Sequence, residues 1–141
     1  MNKIRKIISG GQTGADRVAF DFALKKGIEI GGYIPKGRRA EDGKIDEKYH
    51  NLIETDTKNY SERTRLNVLN ADATLIFSHG KLTKGSLLTK KYAEKYKKLF
   101  RHIDFTHSNF AKLLEETRKW IVQNNFETIN IAGARTSTDS D

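Results

Sequence analysis

Ser9-Gly10-Gly11-Gln12-Thr13-Gly14-Ala15-Asp16 follows a short apolar run, Ile4 to Ile8, and leads directly into an amphipathic segment from Arg17 to Lys26. Strand, glycine-rich turn and helix start, in that order, build an anion site. Glycines let the backbone turn tightly and come close to a ligand. The first amides of a helix have no partner within it, so they point at whatever negative charge lies before them. The stretch departs from both common phosphate motifs. A P-loop needs Lys and then Ser or Thr after its last glycine, where Ala15 and Asp16 stand here. The dinucleotide fingerprint needs G-x-G-x-x-G, this turn reads G-G-x-x-G, and no acidic residue ends the second strand to hold a ribose. An ordinary nucleotide triphosphatase and an ordinary NAD enzyme are both excluded.

Outward from this turn, apolar runs alternate with helical patterns. Ile4 to Ser9 reads as a buried central strand. The helix after it carries Val18, Ala19, Phe22, Ala23 and Lys26 on one side, with Gly27 placed to end it. Ile28 to Ile34 is a second strand closed by Pro35, the only proline. Lys36 to Lys58 shows no period beyond a short extended piece at Leu52 to Thr55, and structureless loops of that length are functional or disordered. Asn59 and Glu62 form a capping box for a helix running to about Asn70. Ala73 to Ser78 is the third strand, followed by the turn His79 to Ser86 and a helix with Leu88, Tyr92 and Tyr96 at four-residue steps. Leu99 to Asp104 is the fourth strand. Phe110, Leu113, Leu114, Thr117 and Ile121, with Trp120 beside them, form the inner stripe of a last helix before the strand Thr128 to Ala132. The pattern predicts an α/β fold with a mainly parallel sheet and right-handed crossovers.

The 141 residues fit one compact domain spanning 1–141, and the absence of cysteine excludes disulfides and thiolate metal sites. The N-terminal apolar run is too short for a signal peptide and no stretch approaches a membrane span, so a cytoplasmic protein is expected. The net charge is +8, from 26 Lys and Arg against 18 Asp and Glu. That excess suits acidic partners or simply keeps the surface solvated.

Open α/β sheets bind ligands beyond the carboxyl ends of their strands. Three polar turns fall at such ends: Gly10 to Gly14, Gly80 to Ser86, and Gly133 to Ser137. Together they predict one site. In the second turn, Thr83, Gly85, Ser86 and Thr89 either bind an oxyanion or include a plain helix N-cap. Arg135 on the third either clamps a phosphate or pairs at the surface. Lys36, Arg38 and Arg39 form either a basic cover or a solvated charge run, while Lys90, Lys91, Glu94, Lys95, Lys97 and Lys98 read as surface. Candidates for catalysis are Asp16, Glu62, Arg63 and Asp104, although Asp16 suits the helix dipole and Glu62 suits the capping box. His50, His79, His102 and His107 lack ligand spacing, so no metal held by protein alone is expected.

Taken together, Ile8 to Asp16, Pro35 to Gly43, Glu62-Arg63-Thr64 with Asn67-Val68, Asp72 to Ile76, Leu82 to Thr89, and Ile131-Ala132-Gly133-Ala134-Arg135 resemble the molybdenum cofactor carrier proteins. These form a circularly permuted branch related to YpsA within the SLOG superfamily. The resemblance implies a single Rossmann-like domain with helices on both faces, often in homo-oligomers. The ligand site it implies comprises Gly10, Gly11, Gln12, Thr13, Gly14, Lys36, Arg38, Arg63, Thr83, Gly85, Ser86, Thr89, Gly133 and Arg135. It points to a carrier of molybdenum cofactor, a phosphate-bearing pterin, or otherwise of a nucleotide or related phosphate. The alternative is a nucleotide-binding sensor or a hydrolase of nucleoside-monophosphate N-glycosidic bonds, with Asp16 or Glu62 as its carboxylate. Nucleic acid ranks last as a partner, because basic and aromatic residues are not interleaved. Two departures stand out: Lys84 where the family usually has glycine, and Ala134 where it usually has proline.

Overall fold

The computed structural model of the chain describes residues 4–133. In chain order these form β1 (Lys6–Ile8), α1 (Ala15–Lys26), β2 (Glu29–Ile34), β3 (Arg39–Ala40), β4 (Gly43–Lys44), β5 (Leu52–Glu54), α2 (Tyr60–Leu69), β6 (Ala73–Ser78), α3 (Lys84–Lys95), β7 (Leu99–Asp104), α4 (Phe110–Gln123) and β8 (Thr128–Gly133). Six strands make one sheet in the order β5-β2-β1-β8-β6-β7, and every neighbouring pair is parallel. From β1 the chain steps outward one way to β2 and β5. From β6 it steps the other way to β7, and β8 returns to fill the centre. Right-handed crossovers then put α1 and α4 over one face and α2 and α3 over the other.

The core lies where α1 meets the sheet. Phe20, Ala23, Ile30 and Ile34 are fully buried there. Each large apolar side chain so placed contributes about 1.5–3 kcal/mol relative to exposure. A second cluster joins Ala73, Leu75, Ile129 and Phe126 to Trp120 and Ile121 of α4. Gly27 ends α1 in the left-handed conformation, at φ 70°.

The inner face of α1 differs from the expected one. Asp16, Ala19, Phe20 and Ala23 face inward, whereas Val18 and Phe22 are 66% and 49% exposed. The inward stripe follows the i, i+3, i+4, i+7 spacing of a helix laid on a sheet. Val18 and Phe22 instead flank an open apolar groove of about 580 Å³, shared with Ile7, Leu75, Phe77 and Phe105. Leu114, expected in the inner stripe of α4, is also exposed, while Thr117 is buried.

The excursion after Pro35 is built rather than structureless. Its β3–β4 hairpin presents Ile45, and the following turn presents Tyr49; both are buried against the Phe20–Ile34 cluster. The Tyr49 and Phe20 rings lie 5.6 Å apart. β5 then pairs parallel to β2. Two isolated apolar anchors carry too little periodicity to be read locally. The capping box is half present. Asn59 accepts the Ser61 N–H (2.8 Å), but Glu62 turns to Arg65 (2.7 Å) and the Asn59 N–H goes to the Thr57 hydroxyl (3.0 Å). No helix among the described residues is long and apolar enough to cross a membrane.

Candidate functional site

The glycine-rich turn after β1 is tied down by its own side chains. The buried Ser9 hydroxyl donates to the Asp16 carbonyl (3.1 Å) and accepts the Gly11 N–H (3.2 Å). The Asp16 carboxylate accepts the Gln12 N–H (3.2 Å). Gly11 and Gly14 sit at φ 70° and 84°, left-handed conformations that a side chain would strain. Gln12 Nε2 donates to the carbonyls of Gly10 (3.2 Å) and Arg39 (3.0 Å). From α1, Arg17 donates through Nε to the Gly11 carbonyl (2.9 Å) and grips Asp42 with both Nη groups (2.8 and 3.0 Å). That paired hydrogen bond raises the Arg17 pKa and lowers the Asp42 pKa. Thr13 donates to Glu41. The tip of the excursion therefore clasps the glycine turn.

The second turn begins where β6 ends. Asp104, at the end of β7, accepts the Thr106 hydroxyl (2.7 Å) and the N–H groups of Thr106 and Gly80 (2.8 Å each). These bonds, the Thr106 hydroxyl first, hold its carboxyl at about 2. The Ser78 hydroxyl donates to the Gly80 carbonyl (2.6 Å), so it accepts from His102 Nε2 (2.5 Å). Its one proton is committed, and the pair braces the turn rather than forming a nucleophile and base. α3 starts at Thr83 with no side-chain cap, and Lys84 sits at φ 44°. Ser86, 3% exposed, leaves its Oγ without a hydrogen-bond partner among the described residues. Thr89 returns its hydroxyl proton to the Gly85 carbonyl (2.9 Å).

A cavity of about 210 Å³ lies beyond the carboxyl ends of β1, β8 and β6, where the strand order reverses. Gln12 and Asp16 come to it from the first turn, and Thr83, Lys84, Gly85, Ser86, Leu88 and Thr89 from the second. The third turn supplies Ala132 and Gly133, and α2 supplies Tyr60, Arg63 and Thr64. Arg63 is nearly buried; its Nη1 stands 3.8 Å from Asp16 Oδ2 and its guanidinium lies over the Tyr60 ring. Gly10 lies beneath that guanidinium with no room for a Cβ. A Cβ on Gly133 would likewise run into Ala15 and the Phe77 carbonyl.

Of the residues singled out in the sequence, Gln12, Asp16, Arg63, Thr83, Gly85, Ser86, Thr89 and Gly133 share this cavity. Gly10, Gly11 and Gly14 shape the turn behind it, and the Thr13 hydroxyl faces Glu41. Lys36 and Arg38 do not line it. Lys36 is exposed, its N–H on the Thr57 carbonyl. Arg38 donates to the carbonyls of Ile45 (3.1 Å), Asp46 (2.9 Å) and Tyr49 (3.0 Å), binding the excursion to itself. Glu62 is held by Arg65 outside the cavity. Arg135 lies outside the described residues. Sequence reasoning missed Tyr60, Thr64 and Leu88; the position of Tyr60 and Thr64 on the first turns of α2, beside Arg63, was the available signal. Among the described residues no three His, Cys, Asp or Glu side chains gather as metal ligands.

An open parallel sheet with helices on both faces and a polar crevice at its switch point defines a Rossmann-like α/β protein. The chain belongs to the circularly permutated YpsA SLOG family, whose family model matches residues 7–141. It is similar to the crystal structure of a Syntrophus aciditrophicus protein named "Putative molybdenum carrier protein": TM-score 0.94, 49% identity, 99% of this chain and 87% of that one. No curated protein matches the chain.

Proposed function

We propose that this protein is a cytoplasmic carrier of a small phosphate-bearing ligand, with molybdenum cofactor as the cargo. The observation that carries this reading is the Ser86 hydroxyl, buried and without a hydrogen-bond partner among the described residues, at the uncapped start of α3, in a cavity that also holds Arg63 and Lys84. A buried hydroxyl left unpaired costs about 1–3 kcal/mol. A phosphate oxygen would accept its proton near the N–H groups of Lys84 and Gly85, the first of the helix, while those of Ser86 and Leu87 go to the Thr83 carbonyl. The cavity is smaller than the roughly 300–1,000 Å³ of a complete small-molecule site. It suits the phosphate end of a ligand whose remainder lies across the mouth. The name of the Syntrophus relative favours molybdenum cofactor among such ligands.

Carriage is favoured over hydrolysis by the carboxylates. Asp16 accepts a main-chain amide and faces Arg63, while Glu62 lies outside the cavity on Arg65. Calorimetric titration with inorganic phosphate, AMP and purified molybdenum cofactor tests the reading. Phosphate-bearing probes should bind, and Ser86→Ala should weaken them by about tenfold or more, as expected for a hydrogen bond to a charged group. A protein that binds none of them is not this carrier. Release of adenine from AMP would replace the carrier with the hydrolase.

The proposal includes self-association through the apolar groove beside α1. Val18, Phe22 and Phe105 stand exposed around it. Its lining is apolar on the α1 side and the sheet side alike, and a second copy presenting the same surface is the occupant proposed. Light scattering should report an oligomer that Phe22→Glu converts to a folded monomer; a wild-type monomer would end this part of the proposal.

A further inference from the structure

Gln12 is nearly all accounted for. Its N–H goes to the Asp16 carboxylate and its carbonyl accepts the Arg17 N–H (3.1 Å). Its Nε2 donates to the carbonyls of Gly10 and Arg39. Those two acceptors assign the amide without ambiguity, because the flipped side chain would press Oε1 against two carbonyl oxygens. Oε1 is thereby fixed on the other side, in a residue only 1% exposed that forms part of the cavity wall, and it has no hydrogen-bond partner among the described residues.

An amide oxygen only accepts. The ionised oxygens of a phosphate, also acceptors, leave it unsatisfied and repel it. Ser86, Arg63 and Lys84 suit an oxyanion; Gln12 suits the opposite kind of group. We infer that the ligand carries an N–H donor beside its phosphate and directs it to Gln12 Oε1. The inference rests on the phosphate reading above and narrows it to phosphate esters whose organic part bears an amino or amide N–H donor, as an aminopterin or aminopurine does. Phosphate esters without an N–H donor leave Gln12 Oε1 without that partner.

The test is calorimetric titration of the intact protein with inorganic phosphate, GMP and purine ribonucleoside 5′-monophosphate, which shares the ribose phosphate of GMP but has no donor on its base. GMP should bind about fivefold or more tightly than the nucleotide whose base has no N–H donor. Gln12→Met, of similar length but with no acceptor, should bring the two together. Ser86→Ala should weaken all three probes and keep their ratio. Equal affinity of the two nucleotides in the unmodified protein overturns the inference while leaving the phosphate site standing, and needs no variant to fold. A ratio that survives Gln12→Met also overturns it. Failure of all three probes to bind rejects the phosphate reading itself.

Discussion

Gly10 and Arg63 occupy a single space: a Cβ on Gly10 would overlap the guanidinium that forms the wall of the polar cavity. Gly10 is not among the residues in the left-handed region, so room rather than backbone freedom requires glycine there. Gly10→Ala is expected to push Arg63 off its place beside Asp16. The blocking atoms all belong to the flexible Arg63 side chain, so the urea midpoint should fall little and the effect should be read in binding. Phosphate affinity should fall as far as it does in Arg63→Ala. Unchanged affinity would mean that Arg63 does not touch the ligand.

Lys84 combines a left-handed backbone, φ 44°, with a place on the cavity wall. That conformation strains a side-chain-bearing residue by about 1 kcal/mol. Lys84→Gly should therefore raise the melting temperature by about 2–4 °C, allowing for protein size. The same change should weaken phosphate binding and flatten its salt dependence. A lower melting temperature would show that the lysine makes contacts worth more than the strain.

The turn that opens the second loop is acid-sensitive through Asp104. Its folded pKa, about 2, lies below the ordinary 3.8, because Thr106 and Gly80 donate to the charged form. Its stabilising contribution is complete above 3.8 and disappears as the pH falls through 2. Urea midpoints of the unmodified protein and Asp104→Asn should thus differ most above pH 4 and converge toward pH 2. Curves that stay parallel across this range would discount the carboxylate.

Tyr49 gives the opposite sign at the other end of the scale. Burial first, and then the hydrogen bond to Asp21 (2.6 Å), push its phenol from 10.0 to about 12. The neutral form stabilises the fold fully below pH 10, and the contribution is lost as the pH rises through 12. Ultraviolet titration should find one tyrosine ionising late. Tyr49→Phe should remove that phase and cost about 1 kcal/mol. Ionisation of all tyrosines near pH 10 would place Tyr49 in solvent.

A strand buried on both faces announces itself as a continuous apolar run, and for that reason Ala73–Ser78 was legible residue for residue; Leu99–Asp104, an edge strand with Arg101 and His102 in it, was legible by its bounds alone. The turns at Gln12, Thr83 and Gly133 could be assigned to one edge of the sheet because their place in a parallel topology follows from the strands. What resisted reading was decided by distant partners. Phe20 is buried and Phe22 is not because of where the sheet lies under α1, which helical periodicity alone does not register. Arg38 looks like a ligand cation in sequence; three carbonyls brought near by Ile45 and Tyr49 claim it instead. Asn67 belongs to a block that resembled a site motif, yet both ends of its amide hold the Tyr33 backbone.

β8 pairs with β1 on one side and β6 on the other, and no other strand joins them. During translation it leaves the ribosome after every other element described here. Until then β5-β2-β1 and β6-β7 are two separate half-sheets with raw inner edges, and the crevice at the switch point has no floor. A ribosome that stalls or terminates before Thr128 would therefore release a chain whose two halves invite pairing with strands of other molecules. The centre of the sheet is thus closed by the last of the described strands to be made.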